Sequence, residues 1–291
     1  MENLVRKAYG KINLGLDVLR KRPDGYHDVR MIMQTVDLCD TLTFVKRGDD
    51  KIVLTSNKRE LPNDENNLIY KAAKLLFSYK QMSGGVSIHL VKTIPIAAGM
   101  AGGSADAAAT LCGLNDLFEL GLSTEELLEL GVQIGADVPF CIVGGCALSE
   151  GIGEVLTPLV NSLPCELVLA KPDIDVSTKY VYEHLRLDEL EHHPDIDGIR
   201  RAMESGDLGG MCSLLENVLE TVTAEKYEVI GELKRELLHQ GAENAVMSGS
   251  GPTVFGLFAV REQAEAAKKA ILEKQLAKEV FVSRFMNAQE S

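Results

Sequence analysis

No run of this sequence approaches the roughly 18 apolar residues that a membrane span needs, and residues 1–7 lack the apolar segment of a secretory leader. A cytoplasmic chain is the expectation. Basic charge is in deficit: 30 Lys and Arg stand against 43 Asp and Glu, leaving a net charge of −13 and an isoelectric point near 5.0. A general affinity for nucleic acid is thereby excluded, because displacing counterions from phosphates needs a basic face, although a local basic pocket remains open. The six cysteines, at 39, 112, 141, 146, 165 and 212, form no C-x-x-C pair and show none of the spacings of a zinc site. They read as small core residues in a reducing compartment. Neither G-x-x-x-x-G-K-[ST] nor G-x-G-x-x-G occurs, so the chain has no Walker A loop and no dinucleotide fingerprint. Repeats and low-complexity tracts are missing too. What is present is 45% hydrophobic and 25% charged residues over 291 positions, ordinary for a soluble protein of one large or two medium domains.

The most informative stretch is Pro95-Ile-Ala-Ala-Gly99-Met-Ala-Gly-Gly-Ser104, which runs into Ala107, Ala108, Leu111, Leu114 and Leu117 at helical spacing. Before it, Val86, Ile88 and Leu90 alternate with Ser87 and His89 as a strand with one buried face. A glycine loop that enters a helix exposes backbone N–H groups with no intrahelical partner at the positive end of the helix dipole. Glycine also lets a phosphate approach the backbone closely. The segment reads as a nucleotide phosphate site, against the plainer alternative of a flexible loop before a tightly packed Ala-rich helix. A second glycine turn, Met247-Ser-Gly-Ser-Gly-Pro-Thr253, has a simple hairpin loop as its rival.

Elsewhere, Ile12, Leu14, Leu16 and Val18 alternate with Lys11, Asn13, Gly15 and Asp17, which predicts a strand with Lys11 and Asn13 on its non-core face. Arg22-Pro-Asp-Gly25 is a turn, followed by Tyr26 and His27. Separate strands are expected around 29–33, 42–44 and 52–54, a helix capped by residues 63–67 and running from Leu68 to about Tyr79, and a capping box at Ser123 and Glu126. Gly135-Ala-Asp-Val-Pro139 reads as a short connection, residues 140–148 as a β-hairpin, and residues 157–164 as a polar connector at a domain boundary. Beyond it come a strand at 166–170, helices at 177–185, 195–204, 208–219 and 224–238, and strands at 244–247, 253–260 and 279–284, with a helix at 262–274. That mixture lacks strict βα alternation and favours an α+β fold.

Taken together, Lys11-Ile-Asn13, residues 95–109, Gly135-Ala-Asp137 and Ser248-Gly-Ser-Gly-Pro252 resemble the GHMP small-molecule kinases over most of the chain. The resemblance implies two domains, residues 1–157 and 158–291: an N-terminal ATP-binding domain like domain 2 of ribosomal protein S5, and a ferredoxin-like C-terminal domain, with the active site in the cleft between them. It implies ATP and Mg²⁺ as cofactors. Within the family, residues 8–14, Pro23-Asp-Gly-Tyr-His27 and Gly135-Ala-Asp-Val-Pro139 look like the members that phosphorylate the 2-hydroxyl of a cytidine diphosphate-linked methylerythritol in non-mevalonate isoprenoid synthesis. The partner expected is thus a small molecule, with neither nucleic acid nor membrane, for a monomer or homodimer. Three departures stand out. Gly10 replaces a frequent alanine, Met100 a frequent leucine, and Ala105 a second serine, which concentrates any hydroxyl–metal role on Ser104. The alternatives are a homoserine or mevalonate-type kinase, and a non-catalytic nucleotide- or RNA-binding module.

Carried over residue by residue, the resemblance gives Asp137 the acceptor hydroxyl and Lys11 the developing charge, where Lys11 would otherwise read as a solvated strand lysine. An unperturbed carboxylate is a weak base at neutral pH, so positioning by Asp137 outweighs proton removal. Pro95, Gly99, Met100, Ala101, Gly102, Gly103 and Ser104 would hold the phosphates. Ser104 either ligates Mg²⁺ or serves as a plain N-cap. Asn67, Leu68 and Lys92 would line the adenine pocket, with Leu68 otherwise core. Tyr26 and His27 would recognise the cytidine, Tyr182 would supply a second stacking face or pack as half-buried helix, and Asn13 and Thr178 would contact the substrate.

Overall fold

The computed structural model describes residues 3–161, 163–190 and 192–288, which form two compact units. Met1 and Glu2, part of the leader reading, lie outside the described residues. Among the described residues no helix is long and apolar enough to cross a membrane.

The first unit comprises residues 3–10, 38–96 and 101–143. Its sheet uses parts of β1 (Asn3–Lys21) and β2 (His27–Arg47), with β3 (Ile52–Ser56) and β4 (Gly85–Val91). β4 runs antiparallel to β2 from Thr41↔Val91 to Arg47↔Gly85, and parallel to β3 from Ile52↔Val86 to Ser56↔Leu90. Against it pack α1 (Leu68–Tyr79), α2 (Gly102–Leu117), α3 (Thr124–Ile134) and α4 (Val138–Val143). The alanines of α2 have a packing reason: Ala105, Ala107, Ala108, Leu111 and Leu114 are all buried, and a helix covered nearly all round needs small side chains. A Cβ on Gly113 would lie 2.8 Å from the Phe44 ring, so β2 and α2 are in close contact there. The local helix signals hold. Asn67 caps α1 by accepting from Ile69 N at 2.9 Å, and Ser123 and Glu126 make both bonds of the capping box at α3.

The second unit comprises residues 11–37, 97–100 and 144–288. Its four-stranded antiparallel sheet has the order β11 (Glu279–Arg284), β7 (Glu166–Lys171), β10 (Val254–Phe258), β9 (Asn244–Met247). α9 (Glu228–His239) packs on β9 and β10, and α10 (Arg261–Glu273) on β7, β10 and β11. That order, with one helix before β9 and one before β11, is the ferredoxin-like arrangement. Four shorter helices precede α9: α5 (Thr178–His184), α6 (Ile196–Ser205), α7 (Leu208–Leu214) and α8 (Glu220–Lys226). A second layer pairs residues 31–34 of β2 with β5 (Cys146–Glu150), β5 with β6 (Val155–Leu159), and β1 in parallel with the two-residue β8 (Glu216–Asn217).

Four expectations need correction. The strands expected at 29–33 and 42–44 are one 21-residue strand, β2. Residues 140–143 are helix α4 rather than a hairpin arm: a six-residue apolar run is compatible with either state, and Pro139, one residue into the helix, suits a first turn. The hairpin partner of β5 is β6, which occupies part of the expected polar connector. The helix expected to reach 219 stops at Leu214, and β8 follows.

Arg30 fixes this second layer by pairing both nitrogens of its fork with Asp197 at 2.9 Å and reaching Glu150 at 3.3 Å. The Arg30 hydrogen bonds hold the Asp197 carboxyl below its ordinary range. A depressed carboxyl contributes stability above its unfolded value near 3.8 and loses it as pH falls through the folded value. Asp197→Asn is expected to lower Tm by on the order of 1–2 °C at neutral pH. Melts of both proteins should converge as the buffer is taken below about pH 4; a gap that widens on acidification contradicts the assignment.

Candidate active site

Residues 95–104 adopt a backbone that costs free energy. Ala97, Gly99 and Ala101 have φ of 51°, 73° and 54°, the left-handed region, which costs a non-glycine residue about 1–2 kcal/mol. Alternating left-handed residues turn successive N–H groups toward one concavity, and strain of this kind collects where a ligand uses it. α2 then starts without a side-chain cap, and its first intrahelical bond is Ala105 N to Ala101 O at 2.8 Å. The N–H groups of Gly102, Gly103 and Ser104 lie ahead of that bond at the positive helix end, where an anion is favoured. Ser104 lies in the first turn, so the plain N-cap reading does not hold: the cap position is Ala101.

Two of the residues expected at the adenine, Leu68 and Lys92, meet this helix start within the first unit. A Cβ on Gly102 would lie 2.9 Å from Lys92 Nζ, and one on Gly103 3.4 Å from Leu68 Cδ1. Leu68 is also partly buried against the core cluster. The Lys92 ammonium is 4% exposed and donates to Asp40 at 2.5 Å and to Asp106 at 2.6 Å. Asp40 Oδ1 accepts from Thr93 N and Ile94 N at 2.5 and 2.8 Å, which anchors the chain as it enters the glycine loop. Burial pushes the Asp106 carboxyl up to about 8 against the pull of Lys92, and its Oδ1 has no hydrogen-bond partner among the described residues. A proton on Asp106 leaves the cluster of two carboxyls and one ammonium electrically neutral. Asp40 and Asp106 were not singled out from sequence; an aspartate inside an alanine run was the available signal. Asp137 closes the turn before α4, its carbonyl accepting from Cys141 N at 3.1 Å.

In the second unit, Lys11 and Asn13 are 4% and 0% exposed, not solvated. The covering is visible at Gly15 on the same face, where a Cβ would lie 2.6 Å from Ile199 and 2.8 Å from Ile196 of α6. Lys11 Nζ donates to Asn13 Oδ1 at 2.8 Å, and Asn13 Nδ2 donates to Met31 Sδ at 3.1 Å. Lys11 N bonds Met100 O at 3.1 Å, tying the strand to the first glycine loop. Ser248 Oγ donates to Gly99 O at 3.0 Å, so the two glycine loops are bonded to each other. A Cβ on Gly99 would lie 2.2 Å from Ser248 O, and only glycine fits. Thr178 Oγ1 and Ser250 Oγ are 2.8 Å apart. Gly25 takes φ 89° in the expected turn, after which Tyr26 is 59% exposed and the His27 ring lies 5.1 Å from that of Tyr182. Burial, and then Lys21, hold the His27 imidazole below its usual range, favouring the neutral ring.

Lys11, Asn13, Tyr26, His27, Gly99, Met100, Thr178 and Tyr182 thus belong to the second unit, and Asn67, Leu68, Lys92, Pro95, Ala101, Gly102, Gly103, Ser104 and Asp137 to the first.

Comparison with known proteins matches residues 67–145 to the GHMP kinases N terminal domain and residues 189–278 to the GHMP kinases C terminal family. A relative from Lachnoclostridium phytofermentans, named 4-diphosphocytidyl-2-C-methyl-D-erythritol kinase, is 52% identical over 291 residues, covering 99% of each chain. A crystal structure of 4-(cytidine 5'-diphospho)-2C-methyl-D-erythritol kinase superposes with a TM-score of 0.83 at 30% identity, covering 97% of this chain and 99% of the other. The homoserine kinase of Cytophaga hutchinsonii, at 19% identity and a TM-score of 0.78 over 98% and 96% of the two chains, shares the fold.

Proposed function

The chain belongs to the GHMP kinase family, and from that premise we propose that it transfers the γ-phosphate of ATP to the 2-hydroxyl of 4-diphosphocytidyl-2-C-methyl-D-erythritol, in the non-mevalonate route to isoprenoids. The observation that carries this reading is the full-length identity of about one half with a kinase of that name. The site residues support it. Residues 1–157 make up the ATP-binding part in this reading and residues 158–291 the C-terminal part, in a cytoplasmic monomer or homodimer that takes a small molecule and no nucleic acid.

Phosphoryl transfer passes through a loose transition state with charge spread over the phosphoryl oxygens, so the protein's contribution is positioning and electrostatics. The N–H groups of residues 99–104 hold the phosphates, and Asn67, Leu68 and Lys92 flank the adenine. Asp137 orients the acceptor hydroxyl and takes its proton late, while Lys11, oriented by Asn13, offsets the charge that develops. Ser104 is the side chain that would hold a Mg²⁺ ion brought in with ATP, which would supply neutralisation of phosphate charge. Its hydroxyl lies in the first turn of α2, where a single protein oxygen would suffice for a metal that is bound mainly through the nucleotide. Tyr26, His27 and Tyr182 hold the cytosine, with Thr178 and Asn13 on the rest of the acceptor.

The deciding experiment is phosphate transfer from ATP to this acceptor, beside homoserine and mevalonate. Turnover that requires the cytidine diphosphate group supports the reading, and comparable rates on the other alcohols refute it. Tyr26→Ala and His27→Ala are expected to raise KM for the cytidylated alcohol by about 10-fold or more, the scale of one lost stacking or hydrogen-bonding partner, with KM for ATP within about 2-fold. Equal shifts in the two constants would remove both residues from cytidine recognition.

A further inference from the structure

We infer that Asn217 is a positioning residue that fixes the second glycine loop, and through it residues 97–100 of the first, against the strand that carries Lys11 and Asn13. This rests on reading residues 95–104 as the ATP phosphate site, and every contact used lies within the second unit.

Asn217 is 4% exposed and uses its whole side chain. Its Nδ2 donates to Met247 O at 2.7 Å and to Gly249 O at 2.8 Å, while its Oδ1 accepts from Leu219 N at 3.0 Å. Only a carboxamide presents two donors and an acceptor in that space; aspartate would set an oxygen against two carbonyls, and leucine would leave three buried backbone groups unpaired. The backbone of Asn217 belongs to β8, whose register places it opposite Leu16 of β1, and the next residue continues the pairing with Val218 N bonded to Leu16 O at 3.1 Å. One residue therefore joins β1 to the second loop. Two neighbours reinforce the grip: Glu220 Oε2 accepts from Met247 N at 2.9 Å, and Thr223 Oγ1 donates to Ser250 O at 3.2 Å.

From that loop the connection passes to the first through Ser248 Oγ and Gly99 O. Tolerances here are small. At Gly99 a Cβ would lie 2.2 Å from Ser248 O and 3.0 Å from Gly251 O, so the two loops pack backbone against backbone and the position of the second constrains residues 97–100 of the first. Nothing in residues 214–219 marks a ligand or a motif, and β8 is too short to carry a periodic pattern.

The test is steady-state kinetics with ATP and the cytidylated acceptor, alongside thermal melts, for Asn217→Ala, Ser248→Ala and the double variant. Asn217→Ala is expected to raise KM for ATP by about 10-fold, the scale of one or two lost buried hydrogen bonds, with KM for the acceptor within about 3-fold. A residue serving stability alone lowers Tm and leaves the KM of the folded protein unchanged, and that result overturns the inference. Because Asn217 acts through the loop that Ser248 bonds onward, the double variant should be no worse than the worse single variant; effects that multiply also overturn it. If Asn217→Ala fails to fold, Thr223→Val removes only the hydroxyl bonded to Ser250, and should raise KM for ATP about 3-fold; no change there counts against the inference. Gly99→Ala separates the two layers of the argument. A normal KM for ATP in that variant refutes the phosphate-site reading itself. A raised KM there with a normal one in folded Asn217→Ala refutes the positioning role alone.

Discussion

Asp137→Asn is expected to lower kcat by on the order of 10²-fold or more while the protein melts like wild type. Asparagine keeps a carbonyl oxygen at nearly the same place, so the acceptor hydroxyl still finds a hydrogen-bond partner and its KM should change little. In the proposed mechanism what is lost is the charge-assisted hold of the carboxylate on the hydroxyl, together with an anionic acceptor for its proton, and both are strongest in the transition state. Lys11 calls for a different substitution. Its side chain is 4% exposed and bonded to Asn13 at 2.8 Å, so alanine would open a buried space and leave Asn13 Oδ1 unpaired. Lys11→Met fills the space while removing the charge and, as alanine does, the donor to Asn13 Oδ1, and should also cost about 10²-fold in kcat. Single-turnover measurement with saturating ATP and acceptor checks both. A folded Asp137→Asn protein with near wild-type turnover would end its catalytic assignment, and a Lys11→Met protein that lost only stability would reduce Lys11 to a structural group.

The parts legible in the sequence were those whose signals are local. A cap at Asn67, a capping box at Ser123 and Glu126, and a glycine with positive φ at Gly25 each depend on residues within a few positions, and all three formed as read. The alternation along β1 identified the strand too and put Lys11 and Asn13 together on its non-core face, without showing that this face is buried. Strand periodicity distinguishes two faces without saying what lies over either. α6, some 180 residues later in the chain, lies over Gly15 on that face, and the second glycine loop lies beside Asn13. The same limit explains β8, whose two residues have meaning only opposite Gly15 and Leu16. For residues 140–143 the failure was different, because a short apolar run fits strand and helix equally well. The glycine loops were the most legible feature of the site, since glycine is required by backbone approaches as close as the one between Gly99 and Ser248. The side chains that hold those loops in place, Asp40, Asp106 and Asn217, come from distant segments and carry no motif.

Lys92→Met should produce the largest loss of stability among single changes near the site, about 3–5 kcal/mol. Methionine fills most of the lysine's volume, so the effect isolates the charge. Without the ammonium, Asp40 and Asp106 face each other in a region where their side chains are 0% and 5% exposed, and among the described residues no other cation is bonded to either. Desolvation without compensation is what makes a broken buried pair expensive. For a chain of this size such a loss lowers Tm by roughly 8–15 °C. Asp106→Asn supplies the contrast. Burial drives Asp106 toward its protonated form, and a neutral carboxamide of the same shape then replaces a neutral acid. Its cost should stay below about 1.5 kcal/mol, the scale of one hydrogen bond. Denaturant titration of the two variants at pH 7 measures the difference directly. If Asp106→Asn is as destabilising as Lys92→Met, Asp106 is ionised and the cluster carries a buried net charge. If neither variant moves the midpoint, Lys92 is not a structural tie.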